Sequence, residues 1–195
     1  MKLLCPVVAA SVLSLICSLA AQVQGQERTI RRVKWRNEPL ELTKPEVGGR
    51  EVKFDQAFQA QGDDWFRGLA ITVRNTTSRP IRYISVGLTF GSSGAGDLPS
   101  RDWLLYGCLP PENEVGAKPC GRPPLQPNET ATLVLQDYES TRVFLNETGK
   151  PQDIGEFEMS IGEVIFADGR MWSAGQIFER DPDDPNRWVP ERKRW

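Results

Sequence analysis

Hydrophobic and polar residues alternate along two neighbouring segments in the first half of the chain. In residues 69–74 and again in residues 84–90, every second residue is large and apolar. This period of two is typical of strands that bury one face. Residues 75–80 between them are turn formers, and Pro80 cannot donate to a ladder, which suits the entry to a strand. We therefore expect two antiparallel strands joined as a hairpin.

The apolar positions of residues 157–166 change phase along the segment. They lie at odd positions up to Ile161 and at even positions from Val164, and Gly162 stands at the change. A β-bulge inserts one extra residue into a strand and so moves the following side chains to the other face, and glycine is common at such sites. The pattern predicts a bulge at Gly162.

The dipeptide Asp168-Gly169 follows this segment and is typical of two-residue hairpin turns. Such a turn places Ile165 opposite Trp172, and both faces of the hairpin are then apolar. One predicted face carries Val164, Phe166, Met171 and Ile177, and the other carries Ile165, Trp172, Ala174 and Phe178. We expect either that the hairpin is covered on both sides or that one face is left for a partner.

Strands at this spacing, many Gly and Pro turns and no convincing amphipathic helix predict an all-β sandwich. The segment Asn75-Thr-Thr-Ser-Arg-Pro-Ile81, followed by alternating apolar residues, resembles immunoglobulin-like modules of bacterial exported proteins, the FxLYD type among them. The resemblance covers residues 65–90 and, more loosely, 125–135. It implies an immunoglobulin-like antiparallel β-sandwich and implies no functional residues.

The sequence predicts four parts and one insertion. They are a signal peptide at 1–25, a flexible basic segment at 26–37 that could add an edge strand, the sandwich at 38–178 and an extended polar tail at 179–195. Residues 91–128 are rich in Gly and Pro and are expected to form a long loop insertion closed by a disulfide. The apolar residues 103–106 inside it indicate that the insertion packs onto the domain.

The first 25 residues have the pattern of an export signal, a basic residue followed by an apolar stretch. Cleavage is expected after Ala20 or after Gly25. An uncleaved anchor stays open, because residues 3–21 are just long enough to span a bilayer. Lipid attachment at Cys17 is a third interpretation, although Ile16 stands where a small residue is required. Each predicts a secreted or periplasmic protein, with no integral membrane domain once the signal is cleaved.

The chain has four cysteines, of which Cys5 and Cys17 belong to the predicted signal. Cys108 and Cys120 remain, and an even pair in an oxidising compartment predicts a disulfide. A loop of this size contributes about 3 kcal/mol in the chain-entropy model. A reactive thiol pair is the alternative, but Cys-x-x-Cys spacing and an activating group are lacking.

The chain contains no histidine, which removes Ser-His-Asp and Cys-His catalysis and histidine zinc sites. No Ser-x-x-Lys or Gly-x-Ser-x-Gly motif occurs, and the glycine-rich residues 91–96 lack the lysine of a phosphate loop. The charge is nearly balanced, with 24 basic and 26 acidic residues, which argues against a nucleic-acid partner. We expect a non-enzymatic protein without cofactor or metal.

Two acidic groups have a chemical and an ordinary interpretation. Glu156 and Glu158 lie on one face of a strand, where a solvated surface is expected rather than the cleft of a glycosidase. Residues 181–186 resemble part of a calcium loop, but Pro185 stands at the fifth position, where that loop needs an oxygen ligand. A proline-stiffened tail is expected there, and a looser calcium site stays open.

Three asparagines, Asn75, Asn128 and Asn146, begin Asn-x-Thr sequons in predicted turns. Asparagine is favoured in turns for its own backbone contacts, so turn chemistry is the expected role. Glycosylation at these positions stays open, since it depends on the host.

The six tryptophans are more than a small core requires. The leading hypothesis is an exported immunoglobulin-like module that binds a protein or a cell-envelope component through the disulfide-closed loop and the Trp172 face. Its predicted contact residues are Trp103, Tyr106, Ile165, Trp172 and Phe178. The alternative is a carbohydrate-binding module with exposed tryptophans. Burial of both Trp103 and Trp172 would exclude the second hypothesis.

Overall fold

The structure is a computed structural model that describes residues 25–62, 65–91, 100–108, 121–135, 154–184 and 186–191. Within these residues it contains strands, one 3₁₀ turn at Trp65–Gly68 and no α-helix. Residues 1–24 with most of the predicted signal peptide, Cys120 and Asn146 lie outside the described residues. The all-β prediction is therefore confirmed for the described part of the chain.

Twelve strands are described. In chain order they are β1 (Gln26–Arg32), β2 (Leu40–Val47), β3 (Arg50–Glu51), β4 (Ala57–Ala60), β5 (Ala70–Asn75), β6 (Ile81–Phe90), β7 (Ser100–Gly107), β8 (Thr130–Val134), β9 (Glu156–Phe166), β10 (Met171–Ser173), β11 (Gln176–Arg180) and β12 (Trp188–Pro190).

The strands form two sheets. The smaller sheet has the order β3-β2-β5-β8 and is antiparallel throughout. In the larger sheet, β9 pairs along one edge with β6, which in turn pairs with β7. The other edge of β9 is shared: β1 pairs with it in parallel over residues 156–159 and leads to β4, and β10 pairs with it over residues 163–165 and leads to β11 and β12.

One hydrophobic core lies between the sheets. The larger sheet contributes alternate residues of its central strands, among them Ile84, Val86, Leu88, Met159 and Ile161, and the smaller sheet contributes Leu40, Ile71, Val73 and Leu133. Each of these side chains is at most 3% exposed. Burial of this kind contributes about 25 cal/mol for each Å² of apolar surface removed from water, so this core is the main source of stability.

The strands β5 and β6 do not form the expected hairpin. β5 pairs with β2 and β8 in the smaller sheet, whereas β6 pairs with β7 and β9 in the larger one. The turn between them therefore crosses from one sheet to the other. Asn75 holds the crossover, because its Nδ2 donates to the carbonyl oxygens of Arg79 (2.8 Å) and Leu125 (3.1 Å). Alternation predicted both strands correctly but carries no information about their partners.

The bulge predicted at Gly162 is confirmed. Ile84 pairs with Val164 and Val86 pairs with Ile161, so β9 has one residue more than β6 over this interval. The Oγ of Ser85 accepts a hydrogen bond of 2.8 Å from the backbone nitrogen of Glu163. This bond satisfies a donor that the bulge removes from the ladder.

The turn between β9 and β10 is one residue longer than predicted. The backbone nitrogen of Phe166 donates to the oxygen of Arg170, which leaves the three residues 167–169 as the loop, and Gly169 has a φ of +85°. This is the three-residue hairpin with a left-handed glycine. Met171 consequently pairs with Ile165, and Trp172 pairs with Val164.

This shift of one residue moves the side chains of β10 to the opposite faces. Trp172 joins the main core together with Val164, Phe166 and Ile177 and is 1% exposed. Met171 lies on the outer face with Ile165. The prediction that Trp172 faces outward is therefore wrong.

Three segments that were predicted to be irregular contain strands. Residues 26–32 form β1, which lies between β9 and β4 rather than at an edge, and residues 100–107 of the predicted loop insertion pair with residues 83–90 of β6. In the predicted tail, residues 188–190 form β12. The segment of β1 looks polar in the sequence because a charged residue, Arg28, stands at one of its buried positions.

Arg28 is buried, and neighbouring groups accept a hydrogen bond from its guanidinium or stack against it. Its Nη1 donates to the carbonyl oxygen of Ile154 at 3.0 Å, and its guanidinium lies 5.9 Å from the ring centroid of Trp65. The Nε1 of Trp65 donates to the same oxygen at 2.7 Å, and its ring stacks on Phe157 at 5.6 Å. Hydrogen bonding and the cation–π contact make this burial tolerable.

Candidate functional site

The outer face of the larger sheet is divided into a covered half and an open half. The covered half is a cluster of Tyr83, Ile165 and Met171, on which Phe178 and Trp188 pack. The guanidinium of Arg180 lies 3.9 Å from the ring centroid of Trp188. Burial raises the pKa of Tyr83, as expected for a phenol removed from water. The C-terminal strand thus closes this half, so the hairpin around residues 167–169 is covered on both sides.

The open half is a groove of about 390 Å³. We call it the open groove. Its floor is formed by β6 and β9, and its sides are formed by β7 and by the segment that follows β1. Its lining includes Trp35, Gly87, Thr89, Arg101, Trp103, Glu158, Ser160, Gly162 and Ser173.

Trp103 lies across two glycines of the groove floor. A Cβ atom on Gly162 would lie 2.6 Å from the Cζ3 of Trp103, and one on Gly87 would lie 3.0 Å from the same atom. Trp103 belongs to β7, Gly87 to β6 and Gly162 to β9, so the ring extends over the neighbouring strand towards the next. Trp103 remains 44% exposed. The atoms that approach the floor, Cζ3, Cε3 and Cη2, all belong to the six-membered ring of the indole.

Trp35 lines the same groove and is also 44% exposed. Its backbone nitrogen donates to Oε1 of Glu38 at 2.8 Å. The other oxygen of Glu38 accepts from Arg32 at 2.6 Å, and the side chains of this pair are 13% and 5% exposed. A well-shielded ion pair therefore anchors the segment that carries Trp35, although no core packing requires the exposed indole.

Asp102 lies beneath this surface on the inward side of β7. Its Oδ1 accepts from the backbone nitrogen of Trp103 at 2.7 Å, while its Oδ2 is buried and has no hydrogen-bond partner among the described residues. Burial raises the pKa of Asp102, and the hydrogen bond from Trp103 only partly opposes this. The carboxylate faces away from the groove and supplies it with no chemistry.

The five predicted contact residues are not brought together. Trp103 lies in the open groove, but Trp172 is a core residue that is 1% exposed. Tyr106 is 8% exposed, and its hydroxyl donates to the carbonyl oxygen of Pro123 at 2.9 Å. Ile165 and Phe178 belong to the covered half. Of the five, Trp103 is well exposed, Phe178 is partly buried and the other three are buried.

Sequence reasoning missed Trp35 and Leu105 as exposed apolar residues. Leu105 is 47% exposed and lies two residues beyond Trp103 on the same side of β7. The signal was available for Leu105, because alternation from the buried Leu104 places it outward. Nothing in the sequence indicated that Trp35 would face the same groove, since it lies outside any strand.

The predicted disulfide joins Cys108 to Cys120. Cys108 directly follows β7, and Cys120 lies outside the described residues. The pairing of Cys108 with Cys120 therefore stays a prediction.

The sequons differ in accessibility. Asn75 is 0% exposed, its Nδ2 makes two hydrogen bonds, and its Oδ1 accepts from Thr77. Its role is turn chemistry, and the folded chain leaves no room for a glycan there. Asn128 is exposed and adopts a φ of +63°.

The acidic groups have ordinary surroundings. Glu156 pairs with Arg31 at 2.8 Å on the surface. Asp181 and Asp184 accept backbone hydrogen bonds of 3.0 Å from residues two positions later. Within the described ranges, no three His, Cys, Asp or Glu side chains are grouped as metal ligands. The same part of the chain holds no helix with the length and apolarity needed to cross a bilayer.

The sequence matches no protein-family model, and comparisons with curated proteins and with solved structures give no significant match. The open groove must therefore be interpreted from its own residues.

Proposed function

We propose that this chain is an exported, non-enzymatic binding module with an immunoglobulin-like fold, and that the open groove is its contact surface. The two sheets around one core and the crossover from β5 to β6 support this fold. The export signal predicted in residues 1–25 supports its delivery outside the cytoplasm.

A single observation carries the proposal: two half-exposed tryptophans line one groove in the open half of the outer face of the larger sheet. Trp103 and Trp35 are both 44% exposed, whereas Trp65 and Trp172 are 6% and 1% exposed in the core. Tryptophan is the residue most enriched at binding hot spots, because it offers a large rigid surface at low entropic cost. The exposed pair is therefore best explained by a partner.

A binding role is favoured over catalysis by the residue types at the groove. The chain has no histidine, and among the described residues that line the groove the only carboxylate is Glu158. Hydrolysis of a glycosidic bond normally needs two carboxyl groups placed across the scissile bond. Arg101 and the serines of the groove can donate hydrogen bonds, and no hydrogen bond between a groove serine and Glu158 that would activate a nucleophile is seen among the described residues.

Capture from the extracytoplasmic fraction of the source cells tests this proposal. Immobilised wild-type protein should retain a specific component that Trp103→Ala loses. Val134→Ala is the matched control, because Val134 is 54% exposed and lies on β8 of the smaller sheet. Equal retention by all three proteins would refute the open groove as the contact surface. If Trp103→Ala retained the component and only reductant released it, the contact would instead be assigned to the predicted Cys108–Cys120 loop.

A further inference from the structure

We infer that the open groove binds a neutral glycan, with a pyranose ring stacked on Trp103. The inference rests on the binding function proposed above and specifies the chemistry of its ligand. Three features of the groove carry it: a flat indole platform, hydrogen-bonding groups around it and a balanced charge.

The platform is built by the two glycines beneath Trp103. With Gly87 and Gly162 in the floor, the indole can lie against the backbone, and any side chain at Gly162 would displace it. The six-membered ring is thus held against the floor, while 44% of the residue stays exposed and available for a ligand to stack on. The C–H groups on one side of a pyranose form a flat, weakly apolar surface that matches such a ring face.

Polar groups surround the platform at positions where sugar hydroxyls need partners. Ser160, Ser173 and Thr89 offer hydroxyls that donate and accept, Glu158 offers acceptors and Arg101 offers donors. These are the few polar groups on a mixed surface that orient a small ligand in a typical site. Trp35 lines the groove as well and supplies a second apolar surface for a longer chain.

The charge of the groove favours a neutral ligand. Among the described lining residues, Arg101 is the cation and Glu158 is the anion. An anionic polymer would meet Glu158 and a cationic one would meet Arg101, so neither sign is selected.

A glycan also fits the groove better than a protein side chain does. A protein hot spot is normally a desolvated pocket of apolar anchors. The strands of the floor instead contribute Gly87, Gly162 and Ser160, while Leu88 and Ile161 bury their side chains in the core and the exposed Leu105 does not line the groove. Such a floor leaves water and hydroxyl groups in place rather than expelling them.

Titration of the full chain with cellohexaose, chitohexaose and maltohexaose tests the inference. These three neutral oligosaccharides differ in linkage and in substitution. We expect saturable binding of at least one of them in isothermal titration calorimetry. Trp103→Ala should weaken that binding by at least about tenfold, which corresponds to about 1.4 kcal/mol.

Three further variants separate contact from folding. Trp103→Phe keeps a smaller ring and should retain part of the affinity, and Trp35→Ala removes a residue outside any strand and should reduce binding without changing the unfolding midpoint. Val134→Ala should bind like the wild type. If Trp35→Ala and Trp103→Phe both bound the glycan as tightly as the wild type, the groove would not be its site.

The outcome for the ligand is distinguishable from the outcome for the binding function. If no oligosaccharide bound while capture from the extracytoplasmic fraction still depended on Trp103, the glycan inference would be overturned, the partner would be a protein and the proposed function would stand. If neither oligosaccharide binding nor capture depended on Trp103, both proposals would be overturned.

Discussion

Asn75 holds the crossover between the two sheets. Its replacement by aspartate should therefore lower the free energy of unfolding, by an amount that depends on pH. The side chain is 0% exposed, and its Nδ2 donates to the carbonyl oxygens of Arg79 and Leu125 at 2.8 and 3.1 Å. Asn75→Asp keeps the size of the side chain but puts a carboxylate oxygen opposite both acceptors. The variant thus changes two attractive contacts into repulsive ones.

The magnitude follows from these contacts. Loss of two donated hydrogen bonds costs about 1–3 kcal/mol in total, because Leu125 keeps a bond from Ile81 (2.9 Å) and Arg79 keeps one from Thr77 (3.0 Å). The other carboxylate oxygen keeps its bonds from Thr77, but burial of the charge opposite two carbonyl oxygens adds about 1.4 kcal/mol for each unit by which the pKa rises. For a rise of about two units, the expected total loss near neutral pH is about 4–6 kcal/mol, a large part of the about 5–15 kcal/mol that stabilises a typical domain.

The sign of the pH dependence is opposite to that of an ordinary surface carboxyl. Burial and the two carbonyl oxygens raise the pKa of Asp at this position in the folded state above its unfolded value of about 3.9. The native state therefore tolerates the protonated form, and the variant loses stability as pH rises through the folded pKa. Near pH 4, where the acid can donate one hydrogen bond, the deficit relative to the wild type should narrow to about 1–2 kcal/mol.

Urea unfolding followed by tryptophan fluorescence measures both values. Asn128→Asp is the matched control, because it makes the same chemical change at an exposed residue with a φ of +63°, a conformation that aspartate tolerates. Its stability should stay within about 0.5 kcal/mol of the wild type. Equal stabilities of the two variants near neutral pH would refute the role of Asn75 as the lock of the crossover.

Three further predictions concern burial and covalent structure. Burial raises the pKa of Asp102, so its ionisation destabilises the fold above the unfolded pKa of about 3.9. Asp102→Asn should therefore raise Tm near neutral pH and lose that gain at low pH. An unchanged Tm near neutral pH would count against the buried carboxylate. Trp172→Ala should cost about 3–5 kcal/mol in urea unfolding and Trp103→Ala clearly less, and the reverse order would contradict the observed register of β10. Alkylation of the denatured, unreduced chain should leave Cys108 and Cys120 unmodified, and labelling of both thiols would exclude their disulfide. Replacement of both by Ser should lower the free energy of unfolding by about 3 kcal/mol.

The bulge at Gly162 shows how far local pattern can be trusted. Its position was evident because the phase of burial along β9 changes within one continuous strand, from Ile161 to Val164. The bulge residue Gly162 also belongs to the candidate site, because it forms part of the floor beneath Trp103. The sequence contained both residues, but 59 positions separate them. Only the order β7-β6-β9 brings them into contact.

Strand β1 shows where local pattern fails. Arg28 interrupts its apolar face, so the segment resembles a basic, solvated lead-in. In the fold, the carbonyl of Ile154 and the ring of Trp65 receive the guanidinium, and β1 becomes an inner strand. A buried arginine depends on partners that are 37 and 126 residues away, which no window of local sequence includes.

The sequence by itself determined that the described part of the chain is all-β, which residues of β5, β6 and β9 face inward and where β9 bulges, because alternation and glycine placement act within one strand. The tertiary structure decided which sheet each strand joins, and it decided the register of β10. A strand buries the same alternate residues whichever neighbour it pairs with, so β5 and β6 could be recognised without revealing that they lie in different sheets. One additional turn residue moved Trp172 from a predicted contact surface into the core. Trp103, on a strand mistaken for a loop, is instead exposed and lines the open groove together with Trp35.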